Sequence, residues 1–334
     1  MRSCLLIMCT LSAAAACTGA PGDDGAIGPL EPGGGKADDG SAPYGSLSQI
    51  GGDGLYFVKA SNGVQYSFDL MLGANPDTTV PIVYLSGIAA RQGGSAEDPF
   101  LDRLQQNGRT VIKLMLPGQG ETLFRDIENT GGTSIDAGND DEIRPDEQAQ
   151  SIIDAVDALG IRAPVHVAGV SYGGAISAAT KQLFPDRIGK ALLMSPHSTP
   201  QAQNTGFRDV NYYTWKNGYW DFFGYHPGAK AALQSLFAPP QAFAGYEDQW
   251  YEALYEIWIG VDEFPTPQVI STMNDVHVLA VPGDTDAPPE LLEPAMANNP
   301  NGTFTLAVGH DRQHFITGEA PEYAADWLLG KVGQ

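Results

Sequence analysis

Residues 167–174 read Val-Ala-Gly-Val-Ser-Tyr-Gly-Gly, which puts Ser171 inside a G-x-S-x-G pattern. An apolar stretch of strand character precedes it and an Ala-rich stretch of helix character follows. A serine hydroxyl is a weak nucleophile. It attacks a carbonyl when a sharp strand-to-helix turn exposes it to a base on one side and to substrate on the other. Gly169 and Gly173 would keep side chains out of that crowded turn. The first N–H groups of a helix lack partners within it, and the one on Tyr172 is placed to stabilise an oxyanion. Five residues of this kind also build ordinary turns, so the rest of the chain must supply the partners.

A serine nucleophile needs a proton carrier and a carboxylate to orient it. Histidine suits the first task because its pKa lies near neutrality, so it can take the serine proton and return it to a leaving group. Two histidines, His310 and His314, and two aspartates, Asp284 and Asp286, occupy loops late in the chain. Either aspartate could equally serve only to start the Pro-bounded turn in which it lies.

Positioning these groups requires a scaffold, and the chain alternates short apolar runs with helix-like stretches. The runs are Val80–Leu85, Val111–Leu116, Val165–Val170, Ala191–Met194, Val276–Val281 and Phe304–Val308. Such alternation predicts a mostly parallel sheet covered by helices on both faces. Leu55–Ala60 and Val64–Leu72, separated by Asn62-Gly63, read as a hairpin forming an antiparallel edge. A helix is expected from Pro145 to Leu159, with Ile152, Ile153, Val156 and Leu159 on one face and Pro145 in the permitted first turn. About 197–275 lies outside the sheet pattern and carries more than half of the chain's aromatic residues, which suggests a helical cap. Trp250, Tyr251, Leu254, Tyr255 and Trp258 repeat there at helical spacing and could wall a substrate pocket.

Taken together, Val165–Ser195 resembles the nucleophile strand, elbow and following strand of the α/β-hydrolase family. Four further segments carry the likeness: Val80–Ile88, Arg109–Glu121, His277–Pro289 and Thr303–Trp327. The resemblance covers most of 80–330 and implies an α/β-hydrolase fold with an eight-stranded, mostly parallel sheet and a cap insertion. It implies a serine hydrolase whose reactive groups come in the order Ser, acid, His. A G-x-x-D register places Asp286 as the acid, with Asp284 as the alternative. The spacing of His314 to Glu319 and Pro321 matches the family's H-F-x-x-x-E-x-P pattern, so His314 is preferred over His310. Where the family usually has His-Gly after its first parallel strand, this chain has Ser86-Gly87. Main-chain donors still serve as the oxyanion hole, Tyr172 with Ile88, but nothing in the sequence anchors that loop. Gly93 and Gly94 would allow close backbone approach, or be ordinary turn glycines.

The apolar wall expected on the cap favours an uncharged, moderately hydrophobic carboxylic ester, which the serine mechanism would cleave through an acyl-enzyme. An amide or peptide substrate is the alternative within the enzyme class; it would need Glu247, Asp248, Glu252 or Glu256 to hold a free amine. A surface lipoprotein that binds a ligand without turnover is the alternative outside it. Relatives that open epoxides or remove halide attack with Asp, and the elbow here carries Ser. No cofactor is called for.

Met1–Ala16 has one cation, an apolar centre and a small-residue end, the pattern of a secretory signal peptide, too short for a bilayer span. Ala14-Ala15-Ala16-Cys17 resembles a bacterial lipoprotein cleavage site, so Cys17 is a candidate for lipidation and membrane attachment; ordinary cleavage and secretion fit as well. Residues 17–46, rich in Gly, Pro and Asp, read as a flexible tether, with the folded domain spanning 47–334. All three cysteines (Cys4, Cys9, Cys17) fall in or at the end of the leader, which excludes a disulfide, a cysteine nucleophile and a thiolate zinc site from the domain. The 334 residues carry a net charge of −22, which argues against nucleic acid as a partner. Asp136, Asn139, Asp140 and Asp141 could offer oxygen ligands to calcium, but without EF-hand spacing. Oligomeric state is not legible in the sequence.

Overall fold

A computed structural model describes residues 43–51, 53–90, 98–124, 144–198, 231, 233–235, 237–310, 314, 316–319 and 321–331. The signal peptide, Cys17, the candidate calcium ligands, Gly93, Gly94 and the first part of the cap lie outside these residues.

Eight strands form one sheet: β1 (Gly54–Lys59), β2 (Gln65–Met71), β3 (Ile82–Leu85), β4 (Val111–Leu114), β5 (Val165–Val170), β6 (Ile188–Met194), β7 (Val276–Ala280) and β8 (Gly302–Leu306). Their spatial order is β1-β2-β4-β3-β5-β6-β7-β8. The hairpin β1–β2 is antiparallel and β2 joins β4 antiparallel; every pairing from β4 to β8 is parallel. Each run read as a strand is therefore a strand, with ends moved by a few residues.

Helices connect and cover the sheet. Among the described residues they include, in chain order, α1 (Leu47–Ile50), α2 (Asp98–Gln106), α3 (Pro145–Ala158), α4 (Tyr172–Leu183), α5 (Glu247–Glu263), α6 (Thr266–Ile270), α7 (Pro289–Ala297), α8 (Ile316–Glu319) and α9 (Pro321–Leu328). Pro145 begins α3 as expected, and the Glu147 carboxylate accepts the Arg144 N–H at 2.9 Å to close its first turn. Among the described residues no helix is long and apolar enough to cross a membrane.

The pleat divides the strand side chains between two cores. Val83, Leu85, Val165, Val167 and Leu193 face a core shared with α3, α4, α5 and α7. Ile82, Tyr84, Ala168, Val170, Leu192 and Met194 face a second core under α2, α8 and α9. Central parallel strands with both faces covered must be apolar at nearly every position, which is why these segments do not alternate in sequence. One boundary differs from expectation. Tyr44 is buried at 8% exposure and the Pro43 carbonyl accepts the Ala163 N–H at 3.2 Å, so residues 43–46 belong to the folded body rather than to the tether.

Candidate active site

β5 delivers Ser171 at its carboxyl end, and α4 starts one residue later. Ser171 has φ 55° and ψ −119°, a conformation that costs a non-glycine residue on the order of 1–3 kcal/mol. Three backbone bonds hold it there. Its N–H donates to Met194 O at 3.0 Å, and its carbonyl accepts from Ala175 N at 3.1 Å and His197 N at 3.0 Å. The flanking glycines are required by contact. A Cβ on Gly169 would lie 2.1 Å from Gly173 O, and one on Gly173 would lie 2.2 Å from Leu85 O and 2.5 Å from Ser86 O. The elbow thus packs directly on the end of β3, which leads into the loop bearing Ile88.

His314 follows β8, and Asp284 follows β7. Its Nδ1 lies 2.8 Å from Asp284 Oδ2, with side chains 19% and 2% exposed respectively. The Asp284 Oδ1 accepts the N–H groups of Asp286 at 2.9 Å and Ala287 at 3.2 Å. This corrects the expected acid: the carboxylate on His314 Nδ1 is Asp284, not Asp286. The reason is local. Asp284 folds its side chain back over its own turn, which aims one oxygen at the backbone and the other at the ring. Asp286 stands nearby, and one ligand-type atom from each of Asp284, Asp286 and His314 falls within 4.8 Å of the others. A cation there would have to displace the Asp284–His314 bond. His310, the alternative base, packs edge-on against Tyr323 with ring centroids 5.9 Å apart.

Burial by itself would lower the His314 pKa, but the hydrogen bond and charge of Asp284, with a further contribution from Asp286, outweigh it and hold the ring above its ordinary value. For Asp284, burial pushes upward, yet the bond and charge of His314 and the two backbone N–H groups keep the carboxyl below the usual range. Asp284 is thus an anion matched to a cationic or proton-sharing ring. With Nδ1 as the donor to Asp284, the lone pair of the neutral ring sits on Nε2, the atom a general base needs.

Residues Ser195–Ser198 brace the two loops. His197 N bonds Ser171 O, Ser198 N donates to Asp286 O at 3.1 Å, and the buried Thr266 hydroxyl donates to His197 O at 2.8 Å. None of these carried a motif in the sequence. Tyr172, at the first position of α4, has no carbonyl a full turn earlier in the helix for its N–H, since the first such bond is Ala175 N to Ser171 O. Ile88 lies in the loop after β3, beside Ala89 at φ 57°.

Ile88, Ala89, Gln119, Phe124, Tyr172 and Trp250, with Pro117, Gly118, Leu254 and Ile257, line one pocket of about 240 Å³, counting its part open to solvent. Of the five aromatic and aliphatic residues expected on α5, two face this pocket. Trp250 and Leu254 line the pocket, joined by Ile257 and Phe124, which sequence reading missed. Tyr251 turns aside, its hydroxyl donating to Phe237 O at 3.1 Å, and Trp258 packs edge-on against Phe237. Positions 250, 254 and 257 share one face of a 3.6-residue helix while 251 and 258 lie on the adjacent one. The Tyr255 side chain is outside the described residues.

The sequence matches the model of the alpha/beta hydrolase family over residues 82–327. No curated protein matches it. Solved structures with the same fold include a hydrolase from Pseudomonas aeruginosa PA01 at 16% identity and TM-score 0.56, covering 84% of this chain and 98% of that one. An enol-lactonase from Burkholderia xenovorans LB400 is similar at 14% identity and TM-score 0.55, covering 83% and 100%. A thermophilic esterase from Thermogutta terrifontis is similar at 13% identity and TM-score 0.53, covering 84% and 100%. With a family match across the whole parallel part of the sheet and the Ser171 elbow at the end of β5, this chain belongs to the alpha/beta hydrolase family.

Proposed function

We propose that the protein is a serine hydrolase that cleaves a moderately hydrophobic carboxylic ester through an acyl-enzyme. One observation carries the reading. A strained Ser171 elbow and a buried Asp284–His314 pair stand at the carboxyl ends of strands in the same parallel run, where α/β sheets build their sites.

Ser171 Oγ attacks the ester carbonyl carbon as His314 Nε2 takes its proton. Asp284 stabilises the resulting imidazolium and holds the tautomer. The carbonyl oxygen, now an oxyanion, receives the N–H groups of Tyr172 and Ile88. The tetrahedral species collapses, the bond to the alcohol oxygen breaks, and His314 returns the proton to that oxygen. Water then attacks the acyl-serine by the same route, releasing the acid and restoring Ser171.

None of the described pocket-lining residues is charged, and several are apolar, which favours an uncharged acyl or alcohol group over an amine-bearing peptide. Among the carboxylates that could hold an amine, Glu247 opens α5 at the exposed end of the helix. The esterase and lactonase names among the similar structures accord with ester chemistry. Export rests on the leader, with Cys17 as the proposed lipid attachment point.

Turnover of p-nitrophenyl esters from acetate to laurate, with Ser171→Ala as control, tests the mechanism. The expected outcome is Ser171-dependent release with an optimum chain length, and Ser171→Ala should reduce kcat by about 10³-fold or more while leaving the fold intact. Release that survives Ser171→Ala would reject Ser171 as the nucleophile.

A further inference from the structure

The loop bearing Ile88 lacks the histidine that usually anchors it, yet the structure supplies another tether. Leu116-Pro117-Gly118-Gln119 forms a tight turn: Gln119 N donates to Leu116 O at 2.9 Å, Pro117 follows the first residue, and Gly118 takes φ 87°. Pro then Gly at a positive φ defines a type II turn. That turn aims the Gln119 side chain inward, where the residue is buried at 4% exposure. Its Oε1 accepts the Leu116 N–H at 3.2 Å, and its Nε2 donates to Gly87 O at 3.1 Å. The amide orientation is fixed by chemistry, because a backbone N–H can only face the oxygen and a carbonyl can only face the NH₂. A second bond, Gly120 N to Ala90 O at 3.0 Å, fastens the same two loops further along.

The Gly87 carbonyl and the Ile88 N–H belong to one planar trans peptide, so they point in opposite directions. Holding the carbonyl against Gln119 therefore turns the Ile88 N–H away from the 116–119 turn. Without that bond the peptide could rotate and present oxygen where a donor is needed. We propose that Gln119 is a positioning residue for the oxyanion hole, locking the Gly87–Ile88 peptide so that Ile88 offers its N–H to the reacting carbonyl oxygen. This rests on the serine-hydrolase reading above, with Ile88 as the second donor.

A misaligned donor weakens only the oxyanion, which exists in the transition state, so the loss should appear in kcat rather than KM. Gln119→Met keeps the length of the side chain and removes both bonds. Gln119→Glu keeps an acceptor for Leu116 N–H and, ionised, cannot donate to Gly87. Both are measured on the p-nitrophenyl ester that the parent turns over best, alongside thermal unfolding and inhibition by a trifluoromethyl ketone, whose tetrahedral adduct carries an oxyanion. The expected result is a 10- to 100-fold fall in kcat for both variants, KM within about twofold, and ketone affinity weakened by a similar factor. If Gln119→Met fails to fold, Gln119→Glu carries the test. Parent-like kcat in a folded variant, or a loss confined to KM, overturns the proposal. The controls separate the two readings. Parent turnover that survives Ser171→Ala rejects the serine mechanism; Ser171-dependent turnover that ignores both Gln119 variants rejects only the role of Gln119.

Discussion

The turn that holds Ser171 and the loop that holds Asp284 both follow parallel strands, but they fix their reactive groups by different means. Ser171 is set by main chain alone: three backbone hydrogen bonds, a positive φ and two glycines whose missing Cβ atoms would overlap neighbouring backbone. Asp284 is set by its side chain, one oxygen on the N–H groups of Asp286 and Ala287 and the other on His314. A group fixed by backbone tolerates almost no change around it and has no substitute. One fixed by a side chain can be displaced, and a neighbour such as Asp286 can share its electrostatic task.

That contrast breaks most sharply at the glycines. Gly173→Ala should cost at least about 3 kcal/mol of unfolding free energy or prevent accumulation of folded protein, because Leu85 O and Ser86 O are backbone atoms with nowhere to go. Denaturant unfolding measures it; a loss below about 1 kcal/mol would mean the elbow does not pack on the end of β3 as described. The acid loop comes next. Asp284→Asn should lower kcat by about 10³- to 10⁴-fold, while Asp286→Asn should lower it less than about tenfold. Steady-state kinetics that rank the two the other way would return the acid role to Asp286.

The smallest effect lies in pH dependence. A base raised above the ordinary histidine value of about 6.5 must lose its proton before it can act, so the acid limb of kcat/KM should sit above that value. Asp286→Asn removes one of the negative charges that raise it and should move the limb downward by less than about one pH unit; a limb that stays fixed excludes Asp286 from the field at His314. The same shifts bear on stability. The raised His314 contributes fully below about pH 6.5, and that contribution is lost as pH rises through its folded value. The lowered Asp284 contributes above the ordinary carboxylate range and loses that contribution as pH falls through its own folded value.

Much of this arrangement was legible in the sequence because it depends on local patterns. The strands were readable as apolar runs, and Ser171 as a turn flanked by glycines, because burial on both sheet faces and a clash-free elbow each dictate residue type at fixed spacing. The acid was not. Asp284 and Asp286 differ only in which of them folds over its own turn, and two-residue spacing in a loop carries no periodicity to decide that. Tyr44 was assigned to the tether because its neighbours are Gly, Pro and Ser, although one buried ring suffices to dock such a segment. Gln119 lay within a recognised turn, but the aim of its amide depends on Gly87, 32 residues earlier.

Thr266 and residues 195–198 set where the insertion between β6 and β7 can be cut. His197 and Ser198 begin that insertion, yet their N–H groups fasten the Ser171 turn and the Asp286 backbone, and Thr266, near the insertion's far end, fastens His197. A chimaera joined at the end of β6 would therefore exchange the fasteners along with the substrate-facing part. Junctions placed after Ser198 and before Thr266 leave them with the sheet, so the interchangeable module is shorter than the insertion itself.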